Sequence, residues 1–196
     1  MDTSTEGLLK HYRENKFHDV SWPDHEFYNC QLFRYKYMLD NAVNAVNLLD
    51  IGCNGGQGPL TFSKRTGRPS VGVDLNTNAL RRAMKVASYY NIPAKFINAN
   101  VFELILPDLY DVVSCFEFVE HWHSTERVLQ TCERFLAPGG RVFISTPDKD
   151  AYDDSGNEEH VNMMNKEEFL DALKDRHVID FVEREQLLIA QYEVNL

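Results

Sequence analysis

The sequence predicts an α/β fold: a Rossmann-like, doubly wound, mostly parallel seven-stranded sheet that closes with a C-terminal antiparallel hairpin. Three observations predict it. An apolar run enters a glycine-dense turn between Asn47 and Gly58. Short apolar runs then alternate with segments of helical periodicity as far as Pro147, and the last two runs alternate as strands around a three-residue turn.

The elements follow in order. Between Asp24 and Val46, residues Phe27, Leu32, Tyr35, Leu39, Val43 and Val46 fall at helical spacing, which predicts one long amphipathic helix. The first strand leads from Asn47 into the glycine turn, where the missing Cβ atoms let backbone N–H groups approach a ligand. Ser70 to Asp74 is a second strand ending in an acid. Thr77 to Tyr90 is a helix with Asn76 as N-cap and Asn91-Ile92-Pro93 as its stop. Ala94 to Ile97 is the third strand, leading to Asn100, and Tyr110 to Phe116 the fourth, leading to Glu117. Ser124 to Phe135 is helical up to the Pro138-Gly139 turn, and a fifth strand runs into Ser145-Thr146-Pro147. Asn165 to Asp175 is a helix opened by the approximate capping box of Asn165 and Glu168. Val178 to Glu183 and Leu187 to Glu193 form the hairpin about Arg184-Glu185-Gln186.

Composition fits one compact domain, with residues 1–46 as a helical extension or lid and 47–196 as the ligand-binding unit. The 196 residues, 43% apolar and 12% aromatic, suffice for a core. No apolar run approaches the roughly 18 residues of a membrane span, and Met1 to Glu6 lacks a basic-then-apolar signal, so a cytoplasmic protein is expected. Cys30, Cys53, Cys115 and Cys132 show no pairing pattern and are expected reduced. The net charge is −10, and from Asp148 onward five basic residues face fourteen acidic ones. No basic stripe is apparent, which weighs against a nucleic-acid partner. Lys64, Arg65 and Arg68, and Arg81, Arg82 and Lys85, read as solvated helix faces.

A carboxylate at the end of the second strand after a glycine turn is a cradle for an adenosine-containing ligand. The spacing here, Asp50-x-Gly52-x-Asn54-x-Gly56, is led by an acid and lacks the dinucleotide pattern G-x-G-x-x-G. It resembles the first motif of class I S-adenosylmethionine (SAM) methyltransferases, with Asn54 at the middle glycine. Leu136-x-Pro138-Gly139-Gly140, followed by a strand and Ser145-Thr146-Pro147, resembles the type-11 branch of quinone-biosynthesis O-methyltransferases and, more distantly, small-RNA 3′-end 2′-O-methyltransferases. The resemblance runs from Asn47 to Leu173. It implies SAM as cofactor, with the Gly52-to-Gly58 backbone, including Cys53, Asn54 and Gly56, at the methionine moiety. It further implies Asp74, with Leu75, at the ribose, Asn100 and Val101 at the adenine, Asp50 bracing the loop and Glu117 near the cofactor.

Glu117, Glu120 and His121 stand at i, i+3 and i+4, so on a helical turn they share one face. Two carboxylates and an imidazole suit Mg²⁺ or Mn²⁺. The resembled groups use this spacing for a metal, and His160 matches a further histidine of the small-RNA group. The alternative is metal-free, with Glu117 or His121 as the base. His123 is expected to start the next helix; His11, His18, His25 and His177 carry no role. Tyr12, Phe17 and Trp22 are candidates for a lid, and the polar stretch Asp148 to Met164 for a second wall or a solvated insertion.

The expected function is SAM-dependent O-methylation of a small-molecule acceptor, with or without a divalent metal. An RNA 2′-O-methyltransferase and a non-catalytic SAM-fold partner protein are the alternatives, the second because Asn54 and Asn100 depart from pattern. A nicotinamide oxidoreductase is disfavoured by the acid-led loop.

Overall fold

The computed structural model describes residues 29–155 and 157–194, the side chains of residues 29–32 excepted. Helix α1 (Asn29–Asn41) precedes β1 (Leu48–Ile51), α2 (Gln57–Thr66), β2 (Ser70–Asp74), α3 (Thr77–Tyr89), β3 (Ala94–Asn98) and β4 (Tyr110–Phe116). A 3₁₀ turn (Val119–His121), α4 (Thr125–Arg134), β5 (Leu136–Pro147), α5 (Lys166–Ala172), β6 (His177–Arg184) and β7 (Leu187–Glu193) follow. The seven-stranded sheet has the order β3-β2-β1-β4-β5-β7-β6. Pairings from β3 to β5 are parallel and the last two antiparallel, as the sequence predicts. The order reverses between β1 and β4, where an open α/β sheet leaves its ligand crevice.

Alternation along the central strands builds a core on each face. Leu49, Ile51, Val113 and Cys115 pack against Val128 and Leu129 of α4 and Phe169 of α5. On the other face, Leu48, Val112 and Phe116 meet Tyr35 and Met38 of α1 and Phe62 of α2. Asp50 and Ser114 fall on this second face by the same alternation, so two polar groups are buried side by side.

Two helices differ from expectation. The long N-terminal helix ends at Asn41, not Val46, and its expected start at Asp24 lies outside the described residues. Asn41 Nδ2 donates back to the Tyr37 carbonyl at 2.9 Å, and the chain turns. The turn buries Ala42 and Ala45 and leaves Val43 and Val46 exposed, so helical spacing over that stretch was coincidental. Helix α2 was not delimited from the sequence, because its apolar face is short and its first turn is Gln57-Gly58-Pro59. The predicted caps are present: Asn76 accepts from Ala79 N, and Asn165 and Glu168 form a full capping box. Cys53, Cys115 and Cys132 are free and buried. Among the described residues no helix is long and apolar enough to cross a membrane.

Candidate active site

The carboxyl ends of β1, β2, β3 and β4 open into one cleft. Gly52 N and Cys53 N both donate to the Val73 carbonyl, at 2.9 and 3.1 Å, which ties the glycine loop to the end of β2. Gly52 has φ +71°, and a Cβ there would meet the Phe118 ring at 2.5 Å, so glycine is required on both counts. Asn54 adopts φ 45°, the left-handed backbone that Asn tolerates among non-glycine residues. Its N–H donates to Asp74 Oδ2 at 2.8 Å, and Asn76 N–H donates to Oδ1 at 2.7 Å. Asp74 therefore clasps the loops after β1 and β2. Burial raises its pKa, against the backbone N–H donors of Asn76, Asn54 and Leu75 that lower it.

Of the predicted cofactor residues, Gly52, Asn54, Asp74, Leu75, Asn100, Val101 and Glu117 line this cleft, with Asn76, Phe118, His121 and Trp122. Asp50, Cys53 and Gly56 do not line it; they lie beneath or behind the loop. Asp50 is 2% exposed, and Ser114 Oγ donates to its Oδ1 at 2.6 Å. Its Oδ2 has no hydrogen-bond partner among the described residues and fills the space a Cβ on Gly58 would take, 2.4 Å away. Burial pushes the Asp50 carboxyl up to about 7, opposed by the Ser114 hydrogen bond and the Arg34 charge. Gly56, at φ +81°, starts α2 and packs on Phe96 and Ala83.

The second constellation separates into two parts. Glu117 takes φ 48°, an uncommon backbone for a glutamate, and its N–H donates to the Ser145 carbonyl at 3.2 Å. Its Oε1 accepts from Ser145 Oγ at 2.8 Å and its Oε2 lies 4.0 Å from Arg34 Nη1. Glu120 is fully buried, and neither carboxylate oxygen has a hydrogen-bond partner among the described residues. Burial, then repulsion from Glu117, drives its pKa well up. Its Oε1 is 3.7 Å from His121 Nε2, while His121 Nδ1 is 3.2 Å from the Glu159 carbonyl.

The stretch Asp148 to Met164 folds back over this end of the sheet. Asp148 bridges Met164, and Val161 N and Asn162 N donate to the Glu120 carbonyl at 2.9 and 3.0 Å. That return places the His160 ring 5.0 Å from the His121 ring, with His160 Nδ1 2.7 Å from Asp154 Oδ1. One ligand atom each from Glu120, His121 and His160 lie within 4.8 Å of one another. Glu117 is not in that group. A shared face assumes a continuous helix, whereas the left-handed Glu117 and the 3₁₀ turn that follows point its carboxylate toward β5 and α1.

Two features were not read from the sequence. Arg34 of α1 is 9% exposed, with Nε unpartnered among the described residues, and it faces Glu117, Tyr35 and Asp50. Burial lowers its pKa, but Tyr35, Glu117 and Glu120 more than offset this. Its only sequence signal is its place, with Lys36, among the aromatic residues of α1. Asp154, which faces His160, gave no signal within its acidic stretch. His123 is exposed just before α4, as expected. The lid candidates Tyr12, Phe17 and Trp22 lie outside the described residues.

A family model described as a methyltransferase domain matches residues 13–187. The ubiquinone biosynthesis O-methyltransferase of Pseudomonas fluorescens (strain Pf0-1) is 33% identical over 112 residues, 55% of this chain and 48% of that protein. The chain thus spans about half the length of such curated relatives. Among solved structures, the PH0226 protein from Pyrococcus horikoshii OT3 superposes with a TM-score of 0.74 at 18% identity, over 95% of this chain and 99% of that one. The N-methyltransferase NodS from Bradyrhizobium japonicum WM9, in complex with S-adenosyl-L-homocysteine, gives 0.70 at 16% identity, over 97% and 98%. These last two show the fold. The family match over most of the chain places the protein in the methyltransferase-domain family of class I SAM-dependent methyltransferases.

Proposed function

We propose that the protein transfers a methyl group from SAM to a hydroxyl of a small-molecule acceptor. The observation that carries this reading is the adjacency of two sites: His121 belongs both to the cleft beside Asp74 and to the Glu120–His121–His160 cluster. In this reading the Gly52–Asn54 backbone and Arg34 receive the methionine end, the buried guanidinium pairing with its carboxylate. Asp74 accepts from the ribose hydroxyls, and Asn100 and Val101 meet the adenine. The acceptor lies over Glu117 and His121, against the wall carrying Tyr152 and His160.

Methyl transfer needs the acceptor held in line with the methyl group and its proton removed. The cluster offers one carboxylate and two imidazoles, and the two orphaned oxygens of the buried Glu120 fit a cation better than any neighbouring side chain does. Mixed oxygen and nitrogen donors suit Mn²⁺ or a similar transition metal better than Mg²⁺. A bound divalent ion would lower the acceptor hydroxyl's pKa and fix its oxygen. Asp154, facing His160 Nδ1, orients that ring.

The test is a panel of hydroxylated small molecules assayed by S-adenosylhomocysteine release, with EDTA and with added Mn²⁺. Chelation is expected to slow turnover while the protein still binds S-adenosylhomocysteine, and Glu120→Gln or His160→Ala to remove Mn²⁺ stimulation. Full turnover in EDTA would assign proton removal to His121 without metal.

A further inference from the structure

The turn between β3 and β4 that walls the cleft is held from outside by two arginines of α4. Arg134 donates from Nη2 to the carbonyls of Val101 at 2.8 Å and Leu104 at 3.2 Å, and from Nη1 to that of Phe102 at 3.3 Å. Two helical turns earlier on the same face, Arg127 lies over the Phe102 ring, 4.4 Å from its centre. That ring stands edge-on to Trp122 of the cleft, with centres 4.8 Å apart. From inside, Asn100 Oδ1 accepts from Phe102 N at 3.2 Å. The turn is thus pinned at its side chain, its ring and three of its carbonyls.

We propose that Arg134, assisted by Arg127, is a positioning residue that fixes the adenine half of the cofactor site. The inference rests on the reading above in which Asn100 and Val101 meet the adenine. A planar guanidinium has five donors in a rigid fork and can hold three carbonyls at once; a lysine ammonium lacks that geometry. A wall already ordered by Arg134 costs less to organise when ligand binds. Arg134 is an exposed side chain at the end of α4, so its replacement leaves the core intact.

The experiment is competition calorimetry on the full chain with S-adenosylhomocysteine and S-ribosylhomocysteine, which lacks the adenine. The unsubstituted protein is expected to prefer the adenine-bearing ligand. Arg134→Gln should lose about ten-fold for S-adenosylhomocysteine, the worth of one to two hydrogen bonds. Its affinity for S-ribosylhomocysteine should stay the same, so the preference shrinks. Arg134→Lys should restore only part of the loss, and Arg127→Leu, which keeps bulk over Phe102, should shrink the preference to a smaller extent. An equal loss for both ligands, or a lowered melting temperature with the preference intact, overturns the proposal. No adenine preference in the unsubstituted protein would instead sink the reading of the cleft itself.

Discussion

The proposed ribose contact of Asp74 is joined by a structural one that its sequence position did not show. Its place after β2 marked it for the ribose, but the structure also makes it the acceptor for Asn54 N and Asn76 N. Asp74→Ala should therefore weaken SAM binding by about 1.5–3 kcal/mol in a protein that still folds. Asp50 was legible as a brace, whereas its burial beneath Gly58 depends on α2 and could not be seen. With its carboxyl raised to about 7, the folded state holds a proton that the unfolded chain releases near pH 4. Its contribution to stability falls as pH rises between those values and is flat above them. Asp50→Asn mimics the neutral acid, so it should leave low-pH stability unchanged and add on the order of 4 kcal/mol at pH 8. Thermal melts at pH 4 and pH 8 check this, and equal destabilisation at both would contradict it. Asn100 spends Oδ1 on Phe102 N, which leaves its amide nitrogen for the ligand. A carboxylate there could accept from the adenine amino group, so Asn100→Asp should tighten S-adenosylhomocysteine binding several-fold; weaker binding would count against that placement.

At the scale of elements, local signals succeeded where they were chemically specific. Asn76 and the Asn165–Glu168 box announced the starts of α3 and α5, because an N-cap needs a short polar side chain at one position. Asn165→Ala should cost about 1 kcal/mol in denaturant unfolding. Apolar spacing failed at Val43 and Val46, where no cap marked the end of α1. It also missed α2, whose start at Gly56 is set by the loop rather than by a capping side chain. The E-x-x-E-H spacing predicts one shared face, and a single left-handed residue, Glu117, splits it. His160 could join His121 only through the return of the Asp148–Met164 stretch, and the backbone bonds from Val161 and Asn162 to Glu120 leave no sequence trace.

On the scale of the molecule, the sheet order gathers the charge as well as the site. Residues 51–102, which form α2, β2, α3 and β3 at one side of the sheet, carry seven basic side chains and one acid. That side was not recognised from the sequence, because the cations are spread over two helices and a strand. A small acceptor predicts turnover nearly independent of salt between 50 and 200 mM, whereas an RNA backbone lying on that side would make it fall steeply over roughly that range. The central claim is that the crevice between β1 and β4 is a SAM site organised by Asp74. Titration calorimetry tests it most directly, with S-adenosylhomocysteine and NAD against the unsubstituted protein and Asp74→Ala. The account predicts one-to-one binding of S-adenosylhomocysteine, weakened about 10- to 100-fold by the substitution, and no heat from NAD. Binding of NAD in its place, or an affinity for S-adenosylhomocysteine that a folded Asp74→Ala protein keeps in full, would contradict it.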